Sequence, residues 1–363
     1  MSVVEDPHRA VRRWLYALWA MVLLMVVIGG VTRLTGSGLS IVEWRPVTGA
    51  IPPLNDAAWQ AAFDEYKRSP QFQQVNHWMA LADFKRIYFW EYLHRLFGRL
   101  IGFATLLPWL AFVVTRKLRG PLLWRTASVF VLGGLQGALG WYMVKSGLLD
   151  APRVSHLRLA MHLLLGMGVG QWILWLALDL RVPAAATPSP EPSPAPAQRA
   201  ASFGFLALLV LQIMYGAFMA GTHAGYLYSS FPDMNGAYLP GALWTDGGRA
   251  AQLFVNPAII HYVHRVLGLC VLGYALVLAF KLRAHSQLAS RTRALAIVAV
   301  LQVLLGVSAV VLHMPLVIAA LHQLGAYVLC SVAVALCHGS AHASESRDRD
   351  GGLAGARQDL RRA

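Results

Sequence analysis

Apolar residues in this chain are gathered into long blocks, with the polar residues collected between them. Eight blocks approach or reach the roughly 20 apolar residues that a helix needs to cross a bilayer. They fall at about 14–31, 89–114, 122–144, 156–178, 203–221, 259–280, 294–312 and 316–338. The pattern predicts an all-α integral membrane protein with eight transmembrane helices. A long segment, 32–88, separates the first two blocks. Its stretches 56–68 and 79–90 have amphipathic helical character, and the second is expected to run straight into span two. A second long connection covers 222–258. Residues 183–196, PAAATPSPEPSPAP, form neither helix nor core and read as a semi-rigid linker.

The linker divides the chain into two sets of four spans, and the sets look like repeats. TGSG after span one (35–38) matches THAG after span five (222–225), and EYLHRLFG (91–98) matches HYVHRVLG (261–268). LQGALG (135–140) in span three matches LQVLLG (301–306) in span seven, and His162 in span four matches His322 in span eight. Four spans per unit give both copies one orientation, so a pseudo-twofold axis along the membrane normal is expected. The predicted organisation is an N-terminal four-helix bundle (1–182), a linker (183–200), a C-terminal four-helix bundle (201–340) and a disordered tail (341–363).

Charge supports this topology. The chain has 363 residues, 57% hydrophobic and 13% charged, with a formal net charge of +14. The basic excess does not point to nucleic acid, because it sits in short connections. Arg116, Lys117, Arg119 and Arg125 share one and Lys281, Arg283, Arg291 and Arg293 another, neither with an acid. That is the positive-inside pattern, which places these loops and both termini in the cytoplasm. Cys270, Cys330 and Cys337 all lie in apolar blocks, fit no metal-site spacing and read as small buried hydrophobes.

Four histidines stand in the first third of the even-numbered spans: His94, His162, His264 and His322. Imidazoles projecting inward in pairs from facing helices of a bundle are a standard way to ligate heme iron; a hydrogen bond to a neighbouring helix is the plainer reading of any one of them. Gly98, Gly166 and Gly268 follow their histidines by four residues and leave room on the same face. Arg95 and Arg265 follow His94 and His264 directly. Each either pairs with an anion, for which heme propionates suit its fork, or snorkels to the headgroups. Glu91 stands one turn before His94, and the second copy has His261 there. Glu91 either takes up protons or forms an interfacial salt bridge with an arginine. The asymmetry points to chemistry in the first bundle and a permanent cofactor in the second. His156, His223, His261 and His313 stay without an assigned role.

At these residues the chain resembles the heme A synthases of the proteobacterial and mitochondrial type. The resemblance covers most of 14–340 and is carried by GGVTRLTGSGLSIVEWRPVTGAIPPL (29–54), FKRIYFWEYLHRLFGR (84–99), RLAMHLLLG (158–166), AGTHAGYLYSSFPDMNG (220–236) and HYVHRVLG (261–268). It implies an enzyme of the bacterial inner membrane that oxidises the C8 methyl of heme O to a formyl group, through a hydroxymethyl heme, for cytochrome c oxidase assembly. It implies a catalytic Glu91, a substrate heme site at His94 and His162, and a b-type heme (iron) held by His264 and His322. Implied partners are a heme O synthase, an electron-transfer partner and oxidase assembly factors. No cysteine lies between 32 and 88, which excludes a thiol relay in the first long loop. The alternatives are a heme b electron-transfer protein, such as a quinol-linked cytochrome, and a transporter. Pro108 and Pro315 are the nearest approach to the central helix breaks a transporter would show.

Overall fold

The computed structural model describes residues 6–44, 48–149, 152–181, 194–239, 241 and 250–359. Most of the proline-rich stretch lies outside them. The described residues form helices and no strand. In chain order the helices are α1 (Arg9–Leu34), α2 (Asp56–Tyr66), α3 (Leu81–Val114), α4 (Gly120–Leu149), α5 (His156–Asp179), α6 (Pro196–Thr222), the one-turn α7 (Gln252–Val255), α8 (Pro257–Lys281), α9 (Ser286–Val311) and α10 (Leu316–Asp359). All but α2 and α7 are long and apolar enough to span a membrane, eight in all. In α10 the apolar part ends at Ala341.

The spans pack as two closed rings. In the first, α1 touches α3, α3 touches α4, α4 touches α5, and α5 returns to α1. In the second, α6, α8, α9 and α10 close in the same order. The rings meet through α5 on α6 and α1 on α10, so these four helices bury the core around Leu15, Leu18, Ile173, Phe205 and Tyr327. Polar side chains on that seam bond across it: Gln171 Nε2 donates to Ser331 Oγ (3.1 Å) and Gln323 Nε2 to the Val26 carbonyl (2.8 Å). On the outer helices Phe103, Leu107, Val131, Leu276 and Leu304 are exposed, an apolar rim that suits lipid and not water.

At 34 residues, α3 is about 50 Å long and overshoots an apolar core of roughly 30 Å. Its first turns stand beyond the bilayer, as the amphipathic reading of 79–90 expected. There Phe84 and Ile87 pack on Phe63 and Tyr66 of α2, whose first turn is capped by the Asn55 side chain accepting from Ala58 N–H (2.8 Å). Arg33 at the end of α1 and His223 just past α6 line one cavity, so both long connections lie at the same end, called here the loop face.

Pro108 sits inside α3 and cannot donate to the carbonyl four residues back. That carbonyl, Ala104 O, instead accepts from Trp14 Nε1 of α1 at 2.8 Å. Trp14→Phe should therefore lower stability in detergent by about 1–2 kcal/mol. In a Pro108→Ala background, where the helix supplies its own donor, the same change should cost much less. Thermal unfolding of the four proteins measures the coupling, and equal costs in both backgrounds would refute it.

Candidate functional site

Each of the four span histidines lies over a glycine of the span before it. A Cβ added to Gly29 would meet His94 Nε2 at 3.2 Å. One on Gly140 would meet His162 Cε1 at 2.8 Å, one on Gly216 His264 Cε1 at 3.1 Å, and one on Gly306 His322 Cε1 at 2.9 Å. Only a missing side chain lets the imidazole approach so closely. One turn earlier on each of these helices stand Met25, Gln136, Gln212 and Gln302. These reach back over glycines of the histidine helices: Gly98, Gly166, Gly268 and Gly325. The room that Gly98, Gly166 and Gly268 leave is thus taken by a side chain of the neighbouring helix.

The glutamines also clasp the histidine backbone. Gln136 Nε2 donates to His162 O (3.0 Å) and Gln302 Nε2 to His322 O (2.8 Å). The side-chain oxygens of Gln136, Gln212 and Gln302 are buried without a partner among the described residues. The two clasps differ at the ring. His322 Nδ1 lies 3.1 Å from Gln302 O, and a carbonyl only accepts, so Nδ1 carries the proton and Nε2 presents a lone pair. His162 Nδ1 has no partner, and its Nε2 lies 3.4 Å from the Gln136 amide.

His264 and His322 face each other with ring centres 6.4 Å apart and planes at 85°. They line a cavity of about 230 Å³ that also reaches Gln212, Gln302, His261 and Arg265. No aspartate or glutamate lines it among the described residues. His94 and His162 lie close enough to interact electrostatically.

The residues flanking His94 and His264 do something the sequence did not show: both pairs pin the loop that follows the preceding span. Glu91 is 2% exposed. Its Oε2 accepts from Ser40 N–H (2.6 Å), Ser40 Oγ (2.7 Å) and Ile41 N–H (2.9 Å), and its Oε1 from Arg95 (2.7 Å). Arg95 also donates to the carbonyls of Ile41 (2.8 Å) and Glu43 (3.1 Å). In the second half, His261 is fully buried with Nδ1 2.9 Å from Ala224 O, and Arg265 donates to Asp233 O (2.7 Å) and Tyr228 O (3.3 Å). The latch is kept and its polarity inverted: a carboxylate grips N–H groups in one half, an imidazole grips a carbonyl in the other. The loops start alike too, for Gly36 (φ +68°) and its counterpart His223 (φ +57°) are both left-handed. Asp233, outside the spans, is held below the usual carboxylate range, first by the Ser230 hydroxyl and then by the Gly236 N–H.

Of the remaining histidines, His156 Nε2 lies 2.7 Å from Phe254 O, which ties the two halves together at the loop face. The cysteines are free, with Cys330 and Cys337 buried and Cys270 exposed. What sequence reading missed was the glutamine–glycine register. The hexamer LQxxxG at 135–140, 211–216 and 301–306 was the available signal, and LMVVIG at 24–29 is its divergent first copy.

Fold and site together define a polytopic membrane protein built from two rings of four spans, each ring carrying two histidines seated near its loop face. The chain belongs to the cytochrome oxidase assembly protein family, whose profile matches residues 12–334. It is 42% identical to the heme A synthase of Parvibaculum lavamentivorans, over 91% of this chain and 94% of that protein. It is 40% identical to those of Paramagnetospirillum magneticum (93% of this chain, 95% of that protein) and Paracoccus denitrificans (96% and 93%).

Glu91→Ala would leave Ser40 and Ile41 without their acceptor and Arg95 without its counter-ion. Amide exchange at Ser40 and Ile41 should accelerate at least about tenfold, with a smaller change in Ser40→Ala, which loses one of four bonds to the carboxylate. Unchanged exchange in Glu91→Ala would show that the loop is held elsewhere.

Proposed function

We propose that this chain is a heme A synthase that oxidises the ring methyl of heme O to the formyl group of heme A, with a b-type heme resident in its second half. The observation that carries the reading is the His264–His322 pair. Two imidazoles on opposite faces of one iron, bonded at about 2 Å, hold their ring centres roughly 6 Å apart, and the pair stands at 6.4 Å. The Nε2 lone pair of His322 and the acid-free cavity fit such a ligand. When bound, that heme supplies one-electron redox chemistry between the substrate site and an external partner.

Heme O is then the substrate of the first half, at His94 and His162. His162 lacks the carbonyl that orients His322, and a looser imidazole suits a molecule that arrives and leaves. Glu91 is the carboxylate one turn from His94 and is assigned to proton uptake or to stabilising positive charge as the methyl group is oxidised. Both of its oxygens are engaged by the loop and Arg95. Proton transfer at Glu91 therefore goes with release of residues 40–43, which couples chemistry to opening of the loop face. The basic short connections support a loop face outside the cytoplasm of a bacterial inner membrane, with both termini inside. A heme O synthase is the natural source of substrate.

Purified protein from cells supplied with heme O should yield heme O, heme A and a partly oxidised heme on extraction and chromatography. Protoheme alone would favour an electron-transfer cytochrome. His264→Ala and His322→Ala should each abolish the absorbance of the resident heme while the protein still inserts. Loss of that spectrum from His162→Ala, with His322→Ala silent, would reverse the two sites.

Glu91→Gln should lower heme A yield at least about tenfold more than Ser40→Ala, because only the first removes the proton acceptor. Equal losses would reduce Glu91 to a loop fastener.

A further inference from the structure

We propose that Arg33, a residue of the first half, is the cationic contact for the carboxylates of the heme held in the second half; this rests on the reading of His264 and His322 as its axial ligands. The cavity between those histidines is closed partly by α1. Arg33 lines it at the loop face beside His223 and Tyr226, and Arg265 lines it too. Arg265 has the Asp233 carboxylate near it, whereas Arg33 stands at the rim of an apolar cavity that no acid lines among the described residues, and a cation so placed calls for an anion. The porphyrin bound by this histidine pair carries two.

The two arginines are not equivalent. Arg265 uses both terminal nitrogens on the carbonyls of Asp233 and Tyr228, and its buried Nε has no partner. It clamps the loop, as Arg95 does in the first half. The Arg33 side chain makes no hydrogen bond or ion pair among the described residues, so its fork is open to a carboxylate. Its helix is fixed against α10, where Gln323 donates to Val26 O and packs on Gly30, and Gln323 lines the same cavity. One side of α10 thus carries the axial His322 and an anchor of the helix that presents Arg33.

The repeat gives an independent argument. Thr35 matches Thr222, so the position equivalent to Arg33 in the second half is Ala220. At that position the second half carries no cation, so the contact has no repeat-related counterpart in the first half's site, a difference that favours retention of the resident heme.

The test uses the full-length protein in detergent with its resident heme. Arg33→Gln should release heme to excess apomyoglobin at least about tenfold faster than wild type. It should also lower the midpoint potential, because an uncompensated carboxylate favours ferric iron, and leave the bis-histidine absorption of bound heme unchanged. Arg33→Lys should restore most of both. Unchanged release and potential in Arg33→Gln, with His322→Ala still abolishing the spectrum, would overturn the role of Arg33 alone. A spectrum indifferent to His322→Ala would overturn the heme site and this proposal with it.

Discussion

An imidazole placed among lipid-facing helices needs both a seat and partners, because hydrocarbon supplies neither hydrogen bonds nor solvation. This protein meets that need in one way, four times. A glycine of the preceding span lets the ring close to van der Waals distance, and a long side chain one turn earlier lies over the glycine of the histidine helix. The two contacts interlock each odd span with its even successor, so the helix–helix approach and the histidine's position are one constraint. The packing of each ring and the aim of its histidines follow from it.

Variation on that constraint separates the two rings. The clasp of His322 includes a carbonyl that fixes the tautomer, whereas His162 has none, and the first span carries Met25 where three others carry glutamine. The loop latches vary in parallel. In the first ring the Glu91 carboxylate holds the backbone N–H groups of Ser40 and Ile41. An imidazole donating to a carbonyl, as at His261, is a closed interaction in an enclosed site. The two rings share one frame and differ in a few polar partners, chiefly the carbonyl at His322 and the exchange of Glu91 for His261.

The seam between the rings contributes more than packing. Across it Gln171 donates to Ser331, and Gln323 and Tyr327 donate to the backbone of α1. Through the same seam α1 enters the lining of the second ring's cavity. Neither half is a finished site alone, which is a physical reason for both to remain in one chain.

The number and limits of the spans, the loop-face helix leading into α3, and the four histidines were all readable from the linear pattern. Apolar blocks of bilayer length have only one regular solution in lipid, the helix, and an ionisable residue inside such a block stands out against its neighbours. Glu91, Arg95, His261 and Arg265 could be picked out in the same way, but their partners could not. Beyond the Glu91–Arg95 pair, which the sequence offered as one reading, and the Ser40 hydroxyl, those partners are main-chain groups of loops up to 54 residues away, and backbone carbonyls and N–H groups leave no mark in a sequence. The glutamine clasps lay in view as a repeated hexamer, yet glutamine and glycine in a span have many uses, and only the approach of two helices selects one. Arg33 was legible as a charge at a span end; that it lines the cavity of the opposite half was decided by how α1 packs on α10, a contact between residues some 300 positions apart that no local pattern encodes.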